Sequence, residues 1–398
     1  MMFRTLNNVN VKSKRVLLRV DLNVPINQGQ VLDTTRIHRV KPTIEELSRK
    51  GAKVILLTHF GRPKGKVTNQ YSLRGILQII QKILGFPIFF LENCIGEEVE
   101  RHVRSMNNGD ILLLENTRFH IGEEKNDLAF SQALSINGDI YVNDAFSVSH
   151  RAHASTEGVA HLLPAYAGRL MQAELEALEK GLSNPKKPVA AMVGGSKIST
   201  KIDLLKNLLK KVDILIIGGG MANTFLAAKN FNVGQSLCEH ELTETVHTII
   251  AQAQKDNCEL ILPSDAVVGY SFEAQTPNKQ YSIKTIPQDG IILDIGESSI
   301  QRFSSALRKV ATLIWNGPLG AFELPPFDTG TLIIAKHIAE QTKTGNLISI
   351  AGGGDTIAAI NKNGLAKDFT YISTAGGAFL KWMEGKVLPG VSVLKHEK

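Results

Sequence analysis

Short apolar runs alternate with helix-length segments along most of the chain. In the first half the runs fall at residues 16–20, 54–58, 88–90, 111–114 and 140–142. In the second half they fall at 189–193, 214–217, 260–262, 291–293, 312–315, 347–350 and 371–373. Most are separated by a stretch of helical length, such as residues 36–50 or 201–211. Runs that are apolar throughout suit strands buried on both faces, and their alternation with helices predicts parallel sheets covered by helices. At 398 residues the chain is too long for one compact core. Two sets of runs therefore predict two α/β domains. Residues 172–180 form a polar-rich helical stretch, and the Gly/Pro-containing residues 181–188 break it. The domains are accordingly expected at 1–170 and 189–381, with 171–188 as a connecting helix and hinge.

In open parallel sheets ligands bind beyond the carboxyl ends of the strands, so the residues just after each run carry the functional signal. In the first half these are Asp21 and Asn23, His59 and Arg62, Arg118, and the cluster His150, Arg151 and His153, with Arg36 opening the helix after the first strand. Arginine and histidine in this number suit a small ligand bearing phosphate and carboxylate. In the second half the strand ends bring Gly194, Gly195 and Lys197, then Gly218 and Gly219, then Asn316, then Gly353, Gly354, Asp355 and Thr356, and finally Gly376. Each has a plain alternative: a surface arginine is usually a solvated charge, and Lys197 and Lys201 four apart suit a solvated helix face. Glu323 suits a helix cap. The recurrence of such residues at one topological position, strand after strand, favours function.

The stretch at 347–360 reads as strand, glycine turn and helix start. Glycines let a ligand approach the backbone, and a helix N-terminus offers unpaired N–H groups and the positive end of a dipole. Together they predict a phosphate site, with Asp355 placed to hold Mg²⁺ on the phosphates. The alternative is a tight turn with Asp355 as the helix N-cap.

Composition narrows the partners. Formal net charge is +7, which favours an anionic ligand, while the absence of a long Lys/Arg run disfavours nucleic acid. Three scattered cysteines, Cys94, Cys238 and Cys258, have no metal spacing and suit a reducing compartment. No apolar run has the length of a signal core or a membrane span, so a cytoplasmic protein with no membrane partner is expected. A monomer is expected as well. Neither a Walker A pattern nor a protein-kinase glycine loop occurs. A nicotinamide-dependent dehydrogenase would need Gly-x-Gly-x-x-Gly after a strand, a spacing the glycines at 218–220 lack. A non-catalytic nucleotide-binding scaffold would not need the Arg/His set of the first half.

Taken together, the motifs resemble phosphoglycerate kinases. They are Arg-Val-Asp-Leu-Asn-Val-Pro at 19–25, Thr-His-Phe-Gly-Arg-Pro-Lys-Gly at 58–65, Leu-Glu-Asn-Thr-Arg-Phe at 114–119, Asn-Asp-Ala-Phe at 143–146 and His-Arg-Ala-His-Ala-Ser-Thr at 150–156. They continue with Gly-Gly-Ser-Lys at 194–197, Gly-Gly-Gly-Met-Ala at 218–222, Trp-Asn-Gly-Pro at 315–318, Gly-Gly-Gly-Asp-Thr at 352–356 and Ser-Thr-Ala-Gly-Gly at 373–377. The resemblance implies two doubly wound, Rossmann-like α/β domains facing across a hinged cleft, with the last residues, about 382–398, returning to the first domain. It implies reversible phosphoryl transfer from 1,3-bisphosphoglycerate to MgADP, giving 3-phosphoglycerate and MgATP. By motif, Asp21, Asn23, Arg36, His59, Arg62, Arg118 and Arg151 would hold the phosphoglycerate. Lys197, Lys201, Gly218, Gly219, Asn316, Glu323 and residues 353–356 would hold the nucleotide, with Glu323 on the ribose and Asp355 on Mg²⁺. Arg36, Lys197 and the helix starts at Gly353 and Gly376 would stabilise the moving phosphoryl group. The chain departs from the usual family pattern at Thr58 and Phe60, at Ser147, Val148 and Ser149, at Ala375, and at the bulky Phe379 and Trp382.

Overall fold

The computed structural model describes residues 3–395. The chain divides into two compact units, one running to Glu176 and resuming at Val387, the other spanning Ala177–Lys386. The first carries a parallel six-stranded sheet of β1 (Arg15–Arg19), β2 (Lys53–Leu57), β3 (Phe89–Leu91), β4 (Ile111–Leu114), β5 (Ile140–Asn143) and β6 (Ala165–Ala167). Their order across the sheet is β3-β4-β2-β1-β5-β6. Helix α1 (Thr35–Arg49) follows β1 and buries Ile37, Val40, Ile44 and Leu47 on one face. Its start is fixed by Asp33, whose carboxylate accepts the Thr35 amide at 2.8 Å and the Thr35 hydroxyl at 2.6 Å. Helix α2 (Arg169–Leu178) begins beside β5, where Asp144 accepts the Met171 amide at 3.0 Å.

The second unit holds a parallel sheet of β7 (Val189–Val193), β8 (Ile214–Ile217), β9 (Glu259–Ile261), β13 (Thr312–Asn316), β14 (Ile348–Gly352) and β15 (Tyr371–Ser373), in the order β9-β8-β7-β13-β14-β15. A separate antiparallel sheet pairs β10 (Asp265–Gly269) with β11 (Asn278–Ser282) and β12 (Ile291–Ile295). The run at 291–293, expected in a parallel sheet, belongs to this one. No crossover helix separates β10, β11 and β12, and without one consecutive strands pair antiparallel. The helices that matter for the site are α3 (Ile202–Leu209), α4 (Gly220–Ala228), α5 (Glu297–Leu307), α6 (Thr329–Lys343), α7 (Gly354–Lys362) and α8 (Gly377–Met383).

Both parallel sheets are doubly wound, and each reverses its winding once. In the first, the chain leaves β1 towards β2 on one side and later adds β5 on the other. In the second, β7 has β8 on one side and β13 on the other. In open α/β sheets such a reversal marks the place at the strand ends where ligands bind. Residues after β1 and β5, and after β7 and β13, therefore stand where a ligand fits.

Candidate active site

At the first reversal a continuous set of hydrogen bonds ties the strand-end loops together. Asp21 is buried and accepts Arg36 Nη1 at 2.8 Å, the Asn23 amide at 3.0 Å and the Ser147 hydroxyl. The same Arg36 nitrogen reaches the Asn23 carbonyl at 2.9 Å. Asn23 Oδ1 accepts the Gly61 amide at 2.9 Å, and the Gly61 carbonyl accepts Arg118 Nη1 at 2.7 Å. Gly61 has φ +58, and a Cβ there would lie 2.3 Å from the Tyr71 ring. Asn116 braces this loop: its Oδ1 accepts the Phe60 and Arg118 amides, and its Nδ2 donates to the Phe60 carbonyl at 2.7 Å. Arg62 follows with its side chain exposed.

The field of this cluster is strongly positive. Burial, and then the charges of Arg19, Arg118, Arg151 and Arg36, push the His59 pKa well below the usual histidine range. Burial and neighbouring cations, Arg118 first among them, bring His153 down to about 3. Burial lowers even Arg118, against the pull of Glu124, whose Oε1 lies 3.2 Å from its Nε. Four guanidiniums acting on one neutral ring make a site that a multiply charged anion would neutralise. Of the sequence-derived residues, Asp21, Asn23, Arg36, His59, Arg118 and Arg151 share this network or its field.

At the second reversal Lys201 is the strut. Its Nζ donates to the Gly194 carbonyl at 2.7 Å, the Asn316 carbonyl at 3.2 Å and Asn316 Oδ1 at 2.7 Å. It thereby joins the ends of β7 and β13. Burial lowers its pKa to about 8, opposed by the nearby Asp355. Asn316 Nδ2 donates to the Gly352 carbonyl at 2.9 Å, and the Thr356 hydroxyl accepts the Gly317 amide at 2.7 Å. The β7, β13 and β14 loops are thus one bonded layer. It is packed so closely that a Cβ on Gly194 would lie 2.0 Å from the Pro318 carbonyl oxygen. Gly353, with φ +100, is the N-cap of α7, and no side chain caps that helix. Asp355 is therefore not the cap; it stands exposed in the first turn, beside a set of open backbone donors. Gly376 occupies the matching place one strand over, at the start of α8, with φ +50.

Beside this layer lies a cavity of about 520 Å³, whose lining includes Gly195, Gly219, Leu237, Phe272, Glu323 and Asp355. Its lining also holds the buried Asp265 and Asp294; apolar walls beside glycines suit a nucleoside with its phosphates at the glycines. Gly218 is buried against Leu319 and supports the wall without opening onto it. Lys197 is exposed, and its charge faces Glu239. Glu239 is held by the Ser199 amide at 3.0 Å and the Ser199 hydroxyl at 2.6 Å. Among the described residues no group of three His, Cys, Asp or Glu side chains gathers as a metal cage. One carboxylate at a phosphate site is the donor set that suits Mg²⁺, which keeps waters and takes its other ligands from phosphate oxygens. Asp355 therefore fits a metal carried on a nucleotide.

A sequence profile described as "Phosphoglycerate kinase" matches residues 6–386. The chain belongs to the phosphoglycerate kinase family. It is similar to the phosphoglycerate kinases of Brucella abortus biovar 1 (strain 9-941), 64% identical over 395 residues and covering 99% of the chain and 100% of that relative, and of Rhizobium meliloti (strain 1021), 60% identical over 397 residues with 100% of both covered. Among solved structures, the phosphoglycerate kinase from Coxiella burnetii superposes with a TM-score of 0.92 at 39% identity, covering 99% of each chain. That from Pyrococcus horikoshii OT3 gives 0.81 at 29% identity, covering 99% of this chain and 98% of the other.

Several residues of the site were given no role by the sequence. Arg19 lies inside an apolar run and reads as a strand residue, yet its guanidinium touches His59. Ser147, one of the departures from the family pattern, shares Asp21 Oδ2 with Arg36. Phe379, another departure, is fully buried in the space that Gly352 leaves by having no side chain.

Proposed function

We propose that the chain catalyses reversible phosphoryl transfer between 1,3-bisphosphoglycerate and MgADP, as a cytoplasmic monomer in glycolysis and gluconeogenesis. The observation that carries this reading is the cluster of cationic side chains at one sheet's reversal together with a glycine-lined cavity, with Asp355 at a helix start, at the other's. In the direction of ATP synthesis, the bond between the acyl oxygen and phosphorus breaks as an oxygen of the ADP β-phosphate bonds to that phosphorus. The electron pair leaves on the carboxylate of 3-phosphoglycerate. No proton has to move, so no general base is needed, and catalysis consists of positioning and charge stabilisation. Arg62, Arg118, Arg151 and His59 anchor the phosphoglycerate, and Asp21 and Asn23 aim Arg36 at the transferring group. Glu323 takes the ribose, Lys201 and Asn316 shape the phosphate loop, and Lys197 and the open amides at 353–356 and at Gly376 stabilise charge on the moving phosphoryl. Asp355 would hold a Mg²⁺ carried on the nucleotide, which when bound would neutralise phosphate charge.

Reacting atoms must come within about 3–3.5 Å. Binding both substrates is therefore expected to close the two units about a hinge at residues 171–188, which also excludes water from the acyl phosphate. The test is a coupled assay with 3-phosphoglycerate and MgATP, paired with calorimetry of 3-phosphoglycerate alone. Turnover together with saturable binding supports the reading. Nucleotide binding with neither turnover nor 3-phosphoglycerate binding would leave only a nucleotide-binding scaffold.

A further inference from the structure

Beneath the cationic cluster lies a buried polar column to which the proposed chemistry assigns no role. Arg19 ends β1 and is 1% exposed. Its Nε donates to the Ser155 hydroxyl at 2.8 Å, Nη1 donates to the Val20 carbonyl, and Nη2 lies 3.2 Å from Nδ1 of His59. Ser155 in turn donates its hydroxyl to Glu123 Oε1 at 2.6 Å and its amide to Oε2 at 2.9 Å. Glu123 is fully buried, and both its oxygens serve Ser155. The guanidinium is thus fixed from below by a hydroxyl whose own hydrogen is already committed, so that oxygen can only accept.

A guanidinium has N–H donors and no acceptor. The His59 nitrogen it touches must therefore be the acceptor. Burial and the charges of Arg19, Arg118, Arg151 and Arg36 keep the ring neutral. A neutral imidazole that accepts at Nδ1 carries its single proton at Nε2. We propose that Arg19 is a positioning residue that locks His59 in the Nε2–H tautomer, so that the ring offers a neutral N–H donor to the phosphoglycerate anion. In the other tautomer the Nε2 lone pair would face that anion and repel it. A protonated ring would donate from both nitrogens and lose its bond to Arg19. The inference rests on the reading of His59 as a phosphoglycerate contact, but its first half holds or fails without substrate.

The test is long-range ¹⁵N–¹H NMR of the His59 ring in the full chain. In ligand-free wild type near neutral pH the expected signature is a protonated Nε2 and a bare Nδ1. A protonated Nδ1, or an imidazolium, would overturn the proposal, and this measurement needs no variant. Arg19→Lys, which keeps a donor-only cation, should retain the tautomer. Arg19→Met should give a mixture of both and raise KM for 3-phosphoglycerate by about tenfold, the size of one hydrogen bond to a charged acceptor, with a smaller effect on kcat. An unchanged tautomer in Arg19→Met would overturn the assignment to Arg19. Ser155→Ala loosens the column without removing the donor to His59. An equal tautomer shift there would make the packing, and not Arg19, responsible. Addition of 3-phosphoglycerate should shift the wild-type Nε2–H signal. If the tautomer is as expected and 3-phosphoglycerate leaves it untouched, the role of Arg19 on the ring stands, and the substrate reading of His59 is what fails.

Discussion

Single side chains at the second reversal do two jobs at once. All three hydrogens of Lys201 Nζ are engaged by Gly194 and Asn316. What it offers a phosphate is therefore its charge, not a new hydrogen bond. Burial brings its pKa to about 8, so the cation is present below that pH and is lost as pH rises through it. Affinity for ADP measured by calorimetry should fall across that window, and Lys201→Met should be weaker throughout and show no such fall. A wild-type affinity that is flat from pH 7 to 9 would mean that the charge does not act on the nucleotide. The same group has a stability signature. An unfolded lysine titrates near about 10.4, above the folded value, so between the two the unfolded chain holds more protons and stability rises with pH. Asp355 is the complementary case. It caps nothing and stands at the open amides of α7. Asp355→Ala should weaken MgADP by more than about tenfold, the scale of losing a metal-site carboxylate or its support, and leave metal-free ADP within about twofold. Equal losses for both would reduce Asp355 to a surface charge.

At the scale of elements, the close approach of strands, loops and helices explains glycines that a ligand alone would not require. Gly352 ends β14, and a Cβ there would lie 2.5 Å from the Phe379 ring on α8. Phe379 is fully buried, so the glycine and the large ring are one packing unit. Gly352→Ala should destabilise the chain by about 1–3 kcal/mol through overpacking. Phe379→Ala should cost about 3–5 kcal/mol by leaving a cavity. The pair Gly352→Ala with Phe379→Leu should be less destabilised than the sum of Gly352→Ala alone and Phe379→Leu alone, read by urea unfolding of each variant. Strict additivity would show that the two positions do not share the space. Because Gly352 also gives its carbonyl to Asn316, the glycine turn at the candidate phosphate site is held from behind by this ring.

On the scale of the whole molecule, the chain passes between its units at 176/177, within α2, and again at 386/387. The segment from Val387 is bonded to the first unit: the Gly390 amide donates to the Ser149 carbonyl at 3.0 Å, and Asn143 Nδ2 donates to the Gly390 carbonyl at 2.9 Å. The candidate phosphoglycerate residues lie in one unit and the nucleotide residues in the other. A substrate can shift a hinge only by its differential affinity for the closed form. The radius of gyration from small-angle scattering should accordingly fall most with 3-phosphoglycerate and a MgATP analogue together, and less with either alone. Full compaction with one ligand, or none with both, would require the two sets of residues to be reassigned.

What the sequence determined by itself is local. Apolar runs marked most strands of the two parallel sheets, because a strand buried on both faces needs apolar side chains at nearly every position. The glycines at 352–354 and the charged residues just after each run were legible because strand ends are where backbone and side chains leave the core. Weak or absent patterns hid the rest. The strand Ala165–Ala167 is three residues long and pairs at the sheet edge, with Ala167 bonded to Arg4. The strand Asn278–Ser282 is mostly exposed and polar. Only the tertiary structure decided which strand ends share a reversal, because that depends on the order of strands across a sheet and not along the chain. It alone showed Arg19 behind His59, 40 residues away, and Lys201 bridging to Asn316, 115 residues away. Charge, burial and tautomer at those residues are properties of partners brought together from distant positions, and no local pattern encodes such a meeting.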